Sequence, residues 1–418
     1  MQQNKTHVLY LSYDGMTDPL GQSQVLAYLE RLSNLNYRFT LISFEKTERF
    51  ENGKKSVEER CQKSNIKWLP QRYTKKPPIL STIYDIFTLE QKVLDVLKKD
   101  SFEIIHCRSY ITAIVGLQFK RNYGVKFVFD MRGFYADERV DGNIWRLSNP
   151  IYKAVYLFLK RKERQFLSEA DYVISLTDAG EKIIHSWKNI SNQPIPIQVI
   201  PCCANLEMFS NAGIDEKQKI ELKKSLQISE SSFVLSYLGS IGTWYMLEEM
   251  LDCFKVLKEE NPQSIFLFIT NESSEYIVEK AKAKGIAVSD LRIVSSPHNL
   301  VPLHLSISDA GIFFIKPVFS KQASSPTKQA ELMGMNLLHI CNSGVGDVDA
   351  IVAQTNCGVV VEKFSTEDYR SAVKKLLVKT TQQHETIREQ AFEIYSLQKG
   401  VERYAEVYEK LLAMKTTS

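Results

Sequence analysis

Twice along this chain, short runs of apolar and β-branched residues alternate with segments of helical periodicity, and that double alternation leaves few folds open. The first set is HVLYLSY from His7, FTLISF from Phe39, EIIHCRS from Glu103, KFVFDMRG from Lys126, YVISLT from Tyr172 and IQVIPCC from Ile197. The second is FVLSYLGS from Phe233, IFLFITN from Ile265, LRIVSS from Leu291, AGIFFIK from Ala310, NLLHIC from Asn336 and GVVVEK from Gly358. Near-continuous apolarity is what strands need when helices cover both faces of a parallel sheet. Between the first two runs, Val25, Leu26, Leu29 and Leu32 recur at helical spacing. Repetition of that βα unit predicts an α/β chain with two Rossmann-like, doubly wound parallel-sheet domains.

A length of 418 residues accommodates both. The pattern restarts after Phe209, and IPCCANLEMF reads as the linker, giving domains 1–203 and 204–396. Segment 397–418 carries Val401, Tyr404, Tyr408 and Leu411 on one helical stripe; it either closes the second domain or crosses back to the first. Two such units in series imply a cleft between them, because ligands of doubly wound sheets bind outside the carboxyl ends of the strands.

Composition excludes several classes. A formal net charge of +4 gives no global field for nucleic acid. Seven scattered cysteines with no CxxC spacing read as buried thiols, neither a disulfide framework nor a metal site. The pairs His298/His304 and Asp137/Glu138 lack the further ligands of a zinc or magnesium site, so no metal or cofactor is expected. No run approaches the roughly 18–20 apolar residues of a membrane span. The opening MQQNKTHVLYLSYDG has no signal-peptide pattern, so a cytoplasmic protein is expected.

The most specific pattern is ASSPTKQAELMGMNLLHI, from Ala323 to Ile340. Ser325 followed by Pro326 reads as a helix start, with Ser325 as N-cap and Pro326 in the first helical position. Thr327 and Lys328 then fall in the first turn, where free N–H groups and the helix dipole favour an anion. Glu331 lies one turn further on. A pyrophosphate at the tip with ribose hydroxyls on Glu331 suits a sugar nucleotide. The alternative is an ordinary capping box, against which Lys328 stands at N3 where an acid belongs.

These residues resemble the donor motif of retaining GT-B glycosyltransferases of family 4, in which two glutamates stand eight residues apart. Glu331 matches the second, which holds the nucleotide ribose. Ala323 stands where the first would contact the donor hexose, and Leu338 replaces a common proline. LSYDGMTDPLGQSQVLAYLERL resembles this family's first strand and Gly-containing loop, and IIHCRSY, FDMRGFYADERVDG, IPCCANLEMF and YLGSIGTWYMLEEML resemble members acting on bacterial surface polysaccharides, all in the family's order. The resemblance implies a GT-B fold, with the acceptor on the first domain and a nucleotide-sugar donor on the second. It further implies a glycan or lipid-linked glycan acceptor, transfer with retention, and no metal.

Gly239, Ser240, Gly242 and Thr243 follow a strand directly and either present N–H groups to phosphate or make a plain tight turn beside Trp244 and Tyr245. Ser240 stands where many relatives carry an arginine, so Lys328 is expected to neutralise the pyrophosphate, assisted by Lys316 or Arg132. His298 joins the donor-binding candidates. Gly15 and Gly21 bring backbone close to a ligand or serve an ordinary βα turn. His106 ends a strand and either bonds a donor-sugar hydroxyl or is a satisfied structural histidine, while Arg108 is placed to meet phosphate. Arg132, Asp137 and Glu138 lie on a mixed-charge loop that binds acceptor hydroxyls or pairs with itself. Lys328, His106 and Arg132 are the catalytic candidates.

One further segment, WRLSNPIYKAVYLFLKRKERQFL, combines Trp145, Tyr152, Val155, Tyr156 and Leu159 with six bases, among them Arg146, Lys153 and Lys160. It reads as a helix on anionic lipid, or as one packed on the sheet with a solvated basic face. Two other functions stay open: a sugar-nucleotide epimerase or hydrolase, and a non-catalytic scaffold.

Overall fold

The computed structural model describes residues 5–191, 193–381 and 386–414. The chain forms two compact units, Met1–Pro201 with Leu397–Ser418, and Cys202–Ser396. Each is a doubly wound parallel sheet, and the two sheets match the GT-B architecture.

Unit 1 has seven strands: β1 Thr6–Ser12, β2 Tyr37–Glu45, β3 Lys67–Arg72, β4 Ile104–Arg108, β5 Lys126–Asp130, β6 Tyr172–Ser175 and β7 Ile197–Val199. Their order is β3-β2-β1-β4-β5-β6-β7, so the chain winds outward from β1 and then crosses back to β4. β3, KWLPQR, has no apolar run to announce it. It is an edge strand paired only with β2, and it contains Pro70, whose missing N–H is tolerated at an edge. The predicted stripe Val401, Tyr404, Tyr408 and Leu411 is buried within this unit. The C-terminal helix Leu397–Ala413 packs on the helix Ala27–Leu32. It is also pinned to strand ends, Tyr404 donating to Asp130 Oδ2 at 3.1 Å and Tyr408 sharing a 2.8 Å bond with His106 Nδ1.

Unit 2 has six strands: β8 Val234–Leu238, β9 Ile265–Ile269, β10 Leu291–Val294, β11 Ala310–Phe313, β12 His339–Asn342 and β13 Gly358–Val361. Their order is β10-β9-β8-β11-β12-β13, again reversing direction, here between β8 and β11. The division falls just before Cys202 because local bonds hold that residue to unit 2. Its N–H donates to Ser325 Oγ at 3.1 Å, and the Ala204 N–H to the Tyr395 carbonyl at 2.9 Å. All seven cysteines are free and buried.

Two buried histidines make stability depend on pH. Burial lowers His106 from its ordinary value near 6.5, and lowers His339 to about 4. Both are therefore neutral when folded and take up protons more readily when unfolded. The stabilisation is complete above about pH 6.5 and is lost as pH falls toward 4, on the order of 3 kcal/mol for His339. Thermal unfolding midpoints should drop between pH 7 and 4.5, and His339→Gln should flatten the curve. A wild-type profile that stays level over that range contradicts this.

Candidate functional site

In an open α/β sheet the ligand crevice opens where the strand order reverses, at the carboxyl ends of the two strands that flank the reversal. In unit 2 those strands are β8 and β11. The loop after β8 runs from Gly239 to Met246, and the segment after β11 runs from Phe314 to the helix Thr327–Gly334. Tyr245 bridges to Ile315 through two hydrogen bonds that stitch them together: the Lys316 N–H donates to the Trp244 carbonyl at 2.9 Å, and the Met246 N–H to the Phe314 carbonyl at 3.0 Å. The residues singled out in both stretches thus converge on one crevice.

Lys328 is its centre. The residue is only 6% exposed, yet its ammonium has no carboxylate or hydrogen-bond acceptor among the described residues. It rests instead on aromatic faces, 3.8 Å from the Tyr245 ring centroid and 5.5 Å from that of Tyr237. Gly239, at φ +102°, makes room for it, because a Cβ there would lie 2.6 Å from Lys328 Nζ. A ring face attracts a cation by about 0.5–2 kcal/mol, well short of what burying an unpaired charge costs. An anion in the crevice would make up the difference.

Backbone donors surround that position. The amides of Ser240, Ile241 and Thr243 have no acceptor among the described residues, whereas Gly242 pairs with Tyr245 in an antiparallel bridge and Gly239 N–H is spent on the Ile269 carbonyl at 2.9 Å. The helix begins one residue later than its sequence suggests. Pro326, not Ser325, is the N-cap, because the Ser325 hydroxyl is occupied by Cys202. Lys328 is therefore at N2, still within the first turn, and the amides of Thr327 and Lys328 have no acceptor among the described residues. One turn along, Glu331 Oε1 lies 3.9 Å from His298 Nε2, with the carboxylate largely buried and the imidazole exposed. Lys316 is half-buried beside the loop.

Sequence reasoning missed Lys321. This residue, 7% exposed, stacks its ammonium 3.8 Å from the Trp244 ring. Adjacent aromatics, Trp244 and Tyr245, thus each carry a lysine from the facing segment. The pairing has no local signal: Lys321 lies 77 positions from Trp244, in a stretch without a motif.

In unit 1 the reversal lies between β1 and β4, and several of the candidate residues there make contacts within the unit. A Cβ on Gly15 would meet Glu45 Oε2 at 2.7 Å, and one on Gly21 would meet the Gly15 carbonyl oxygen at 2.0 Å. These glycines serve close packing within the chain. The next amides, Met16 and Thr17, donate to the buried Glu45 carboxylate at 2.7 and 3.1 Å, which occupies the place an anion would take.

His106 is fully buried, stacked on Tyr10 at 4.4 Å, with Nδ1 bonded to Tyr408 and Nε2 3.5 Å from Asp130. Both ring nitrogens thus face partners inside unit 1, the arrangement of the structural alternative. Arg108 is likewise buried and donates to Asp14 Oδ2 at 3.0 Å, with Asp130 at 3.9 Å, so its charge is already compensated. Asp137 accepts from Tyr156 at 2.9 Å and Lys160 at 2.8 Å, the internal pairing that was the alternative to acceptor binding. Arg132 sits at φ +55°, 4.0 Å from Asp130 Oδ1 and 3.5 Å from Gln24 Oε1, and Glu138 is half-buried on the next helix.

Residues 21–208 match the family model Glycosyltransferase Family 4. That covers the greater part of unit 1 and a little under half the chain. No curated protein sequence matches. Among solved structures, a glycosyltransferase from Rickettsia africae ESF-5 superposes with a TM-score of 0.72 at 14% identity, covering 99% of this chain and 100% of that one. Anabaena Alr3699/HepE, in complex with UDP and glucose, gives a TM-score of 0.68 at 10% identity, covering 97% and 100%. WaaG, a glycosyltransferase involved in lipopolysaccharide biosynthesis, gives 0.64 at 14% identity, covering 96% and 99%. At these identities the likeness speaks for the architecture over nearly the whole chain. The Family 4 match supplies the link in sequence, and it falls on the unit that does not carry Lys328.

Proposed function

We propose that this chain is a nucleotide-sugar-dependent glycosyltransferase that transfers a sugar, with retention, to a hydroxyl of a glycan or lipid-linked glycan in bacterial surface polysaccharide synthesis. The observation that carries it is the buried Lys328 ammonium, which has no anionic partner among the described residues, beside unspent amides at the reversal of the second sheet. A donor pyrophosphate answers that arrangement. Its oxygens take the amides of Ser240, Ile241, Thr243 and the helix tip, Lys328 and Lys321 supply charge, and Glu331 with His298 holds the ribose.

The bond from the anomeric carbon to the phosphate oxygen breaks, and the nucleoside diphosphate leaves with the electron pair. The acceptor oxygen bonds to the anomeric carbon on the same face, and its proton goes to the departing phosphate. Preorganised cations and amides stabilise the charge that grows on that phosphate. The acceptor is read by the carboxyl-edge loops of unit 1, where Arg132 and Glu138 remain candidates. The protein works in the cytoplasm at an anionic membrane surface; among the described residues no helix is long and apolar enough to cross a membrane.

Support comes from Anabaena HepE, whose structure holds UDP, and from WaaG in lipopolysaccharide biosynthesis. Thermal-shift measurements with UDP, GDP and ADP test the donor site, since a ligand of the native state alone raises its stability. At least one should raise Tm for the wild type and fail to do so for Lys328→Ala. Turnover should persist in chelator, because two lysines provide the positive charge. No shift with any nucleotide at millimolar concentration removes the donor site. Free isomerised or hydrolysed sugar nucleotide, formed without acceptor, would replace this reading with an epimerase or hydrolase.

A further inference from the structure

The surface of unit 1 holds an apolar stripe that the sheet does not use. On the helix Leu80–Leu97, Leu80, Ile83, Tyr84 and Phe87 are 57–63% exposed, at the i, i+3, i+4, i+7 spacing of a single face. The same face turns polar at Gln91 and Asp95, so the stripe is confined to the first turns. Those turns lie at the carboxyl edge of the sheet. Asp85, on the buried side, accepts from the hydroxyl of Tyr13, which directly follows β1, at 2.8 Å.

The helix Pro150–Glu169 repeats the arrangement with different residues from those its sequence suggested. Leu159 is buried, Tyr156 and Lys160 are tied to Asp137, and Tyr152 and Val155 are half-buried. Ile151, Leu157 and Phe158 are the ones exposed, joined by Ile144 and Leu147 just upstream. Arg161 and Arg164 follow on the outer face. Here too the apolar half is at the carboxyl edge, since Asp137 belongs to the short helix that follows β5. Both helices flank the helix Ser109–Tyr123. All three cross over in one direction along the sheet, and right-handed crossovers put them on one face. Helices that flank a third stand roughly 16–20 Å apart.

Charge identifies the occupant. Segment 72–88 contains exposed Arg72, Lys75 and Lys76, and its single acid, Asp85, is buried; segment 143–158 contains exposed Arg146 and Lys153 and no acid at all. None of these five bases has a carboxylate partner among the described residues. A second copy of the chain would bring five bases against five bases. An anionic lipid surface accepts both the bases and the apolar side chains between them.

We propose that unit 1 docks on anionic lipid through two footholds, the N-terminal turns of Leu80–Leu97 and of Pro150–Glu169 with the loop before it. This deepens the membrane part of the reading above and does not depend on the donor site, so nucleotide thermal shifts report on that site separately.

Flotation of the full chain with vesicles of phosphatidylcholine, alone or with phosphatidylglycerol, tests it. Binding should require phosphatidylglycerol and weaken with salt. Lys75→Ser with Lys153→Ser should weaken it about 30-fold at low ionic strength, near fivefold per base. Ile83→Ser with Phe87→Ser should weaken it about tenfold or more. Ile220→Ser with Val378→Ser, which removes exposed apolar groups of unit 2, should leave it unchanged. All these side chains are exposed, and an unchanged Tm confirms that the variants fold. The proposal fails if the wild type does not float with phosphatidylglycerol at low salt, or floats equally with phosphatidylcholine alone. It fails too if the control pair weakens binding as much, or if Ile83 and Phe87 govern self-association in solution and not vesicle binding.

Discussion

Lys328→Ala should lower kcat by about 100- to 1,000-fold, the usual cost of removing one preorganised charge donor from a developing oxyanion. Its ammonium is held 3.8 Å from the Tyr245 ring and has no carboxylate partner among the described residues, so its field is unneutralised in the free protein. As the glycosidic bond breaks, charge accumulates on the leaving phosphate, and the interaction strengthens in the transition state. An interaction of that kind acts on kcat more than on KM. Glu331→Gln should behave differently. A ribose does not change during the reaction, so the donor KM should rise by the equivalent of about 1–3 kcal/mol, with a smaller effect on kcat. Steady-state kinetics with varied donor separates the two patterns. Wild-type kinetics for both variants would reduce the Thr327–Gly334 helix tip to a structural element.

A single methyl group in unit 1 should have an effect of similar size on stability. In Gly21→Ala the new Cβ would lie 2.0 Å from the Gly15 carbonyl oxygen and 2.8 Å from its carbon, so backbone must move. Gly15 cannot yield easily, because it is itself packed against Glu45, which clamps the next two amides. The expected loss is about 4 kcal/mol or more, in the range reserved for severe steric conflict. For a unit of this size that lowers Tm by roughly 10 °C. Gly124→Ala is the comparison, at φ +69° with open space around it; only backbone strain of about 1–2 kcal/mol applies there. Equal Tm values for the two variants would contradict a loop built on close packing at Gly21.

Much of this architecture was legible because it is written in local pattern. Parallel strands covered on both faces must be apolar along their length, so twelve of the thirteen could be read from continuous runs. β3 escaped because an edge strand has only one neighbour to satisfy and no need of such a run. The spacing of Lys328 and Glu331 was equally local, since three residues on a helix bring side chains to the same side whatever surrounds them.

What the tertiary structure alone decided is who stands opposite whom. Strand order placed the two reversal points, and no strand carries the identity of its neighbour in its own residues. Ser325 was expected to cap a helix, and its hydroxyl was taken by an amide 123 positions away. His106 was open between a ligand contact and a structural role, and the partner of its Nδ1 is Tyr408, 302 positions along the chain. Lys321 gained its place on Trp244 in the same way, and the exposed apolar residues of Pro150–Glu169 were chosen by the rotation that packing imposed. Hydrogen bonds and ring contacts are satisfied by proximity in space, which sequence separation does not constrain. The chain's local pattern therefore determined its elements, and burial in the folded units determined which polar groups were spent inside and which, like Lys328, kept no ionic partner among the described residues.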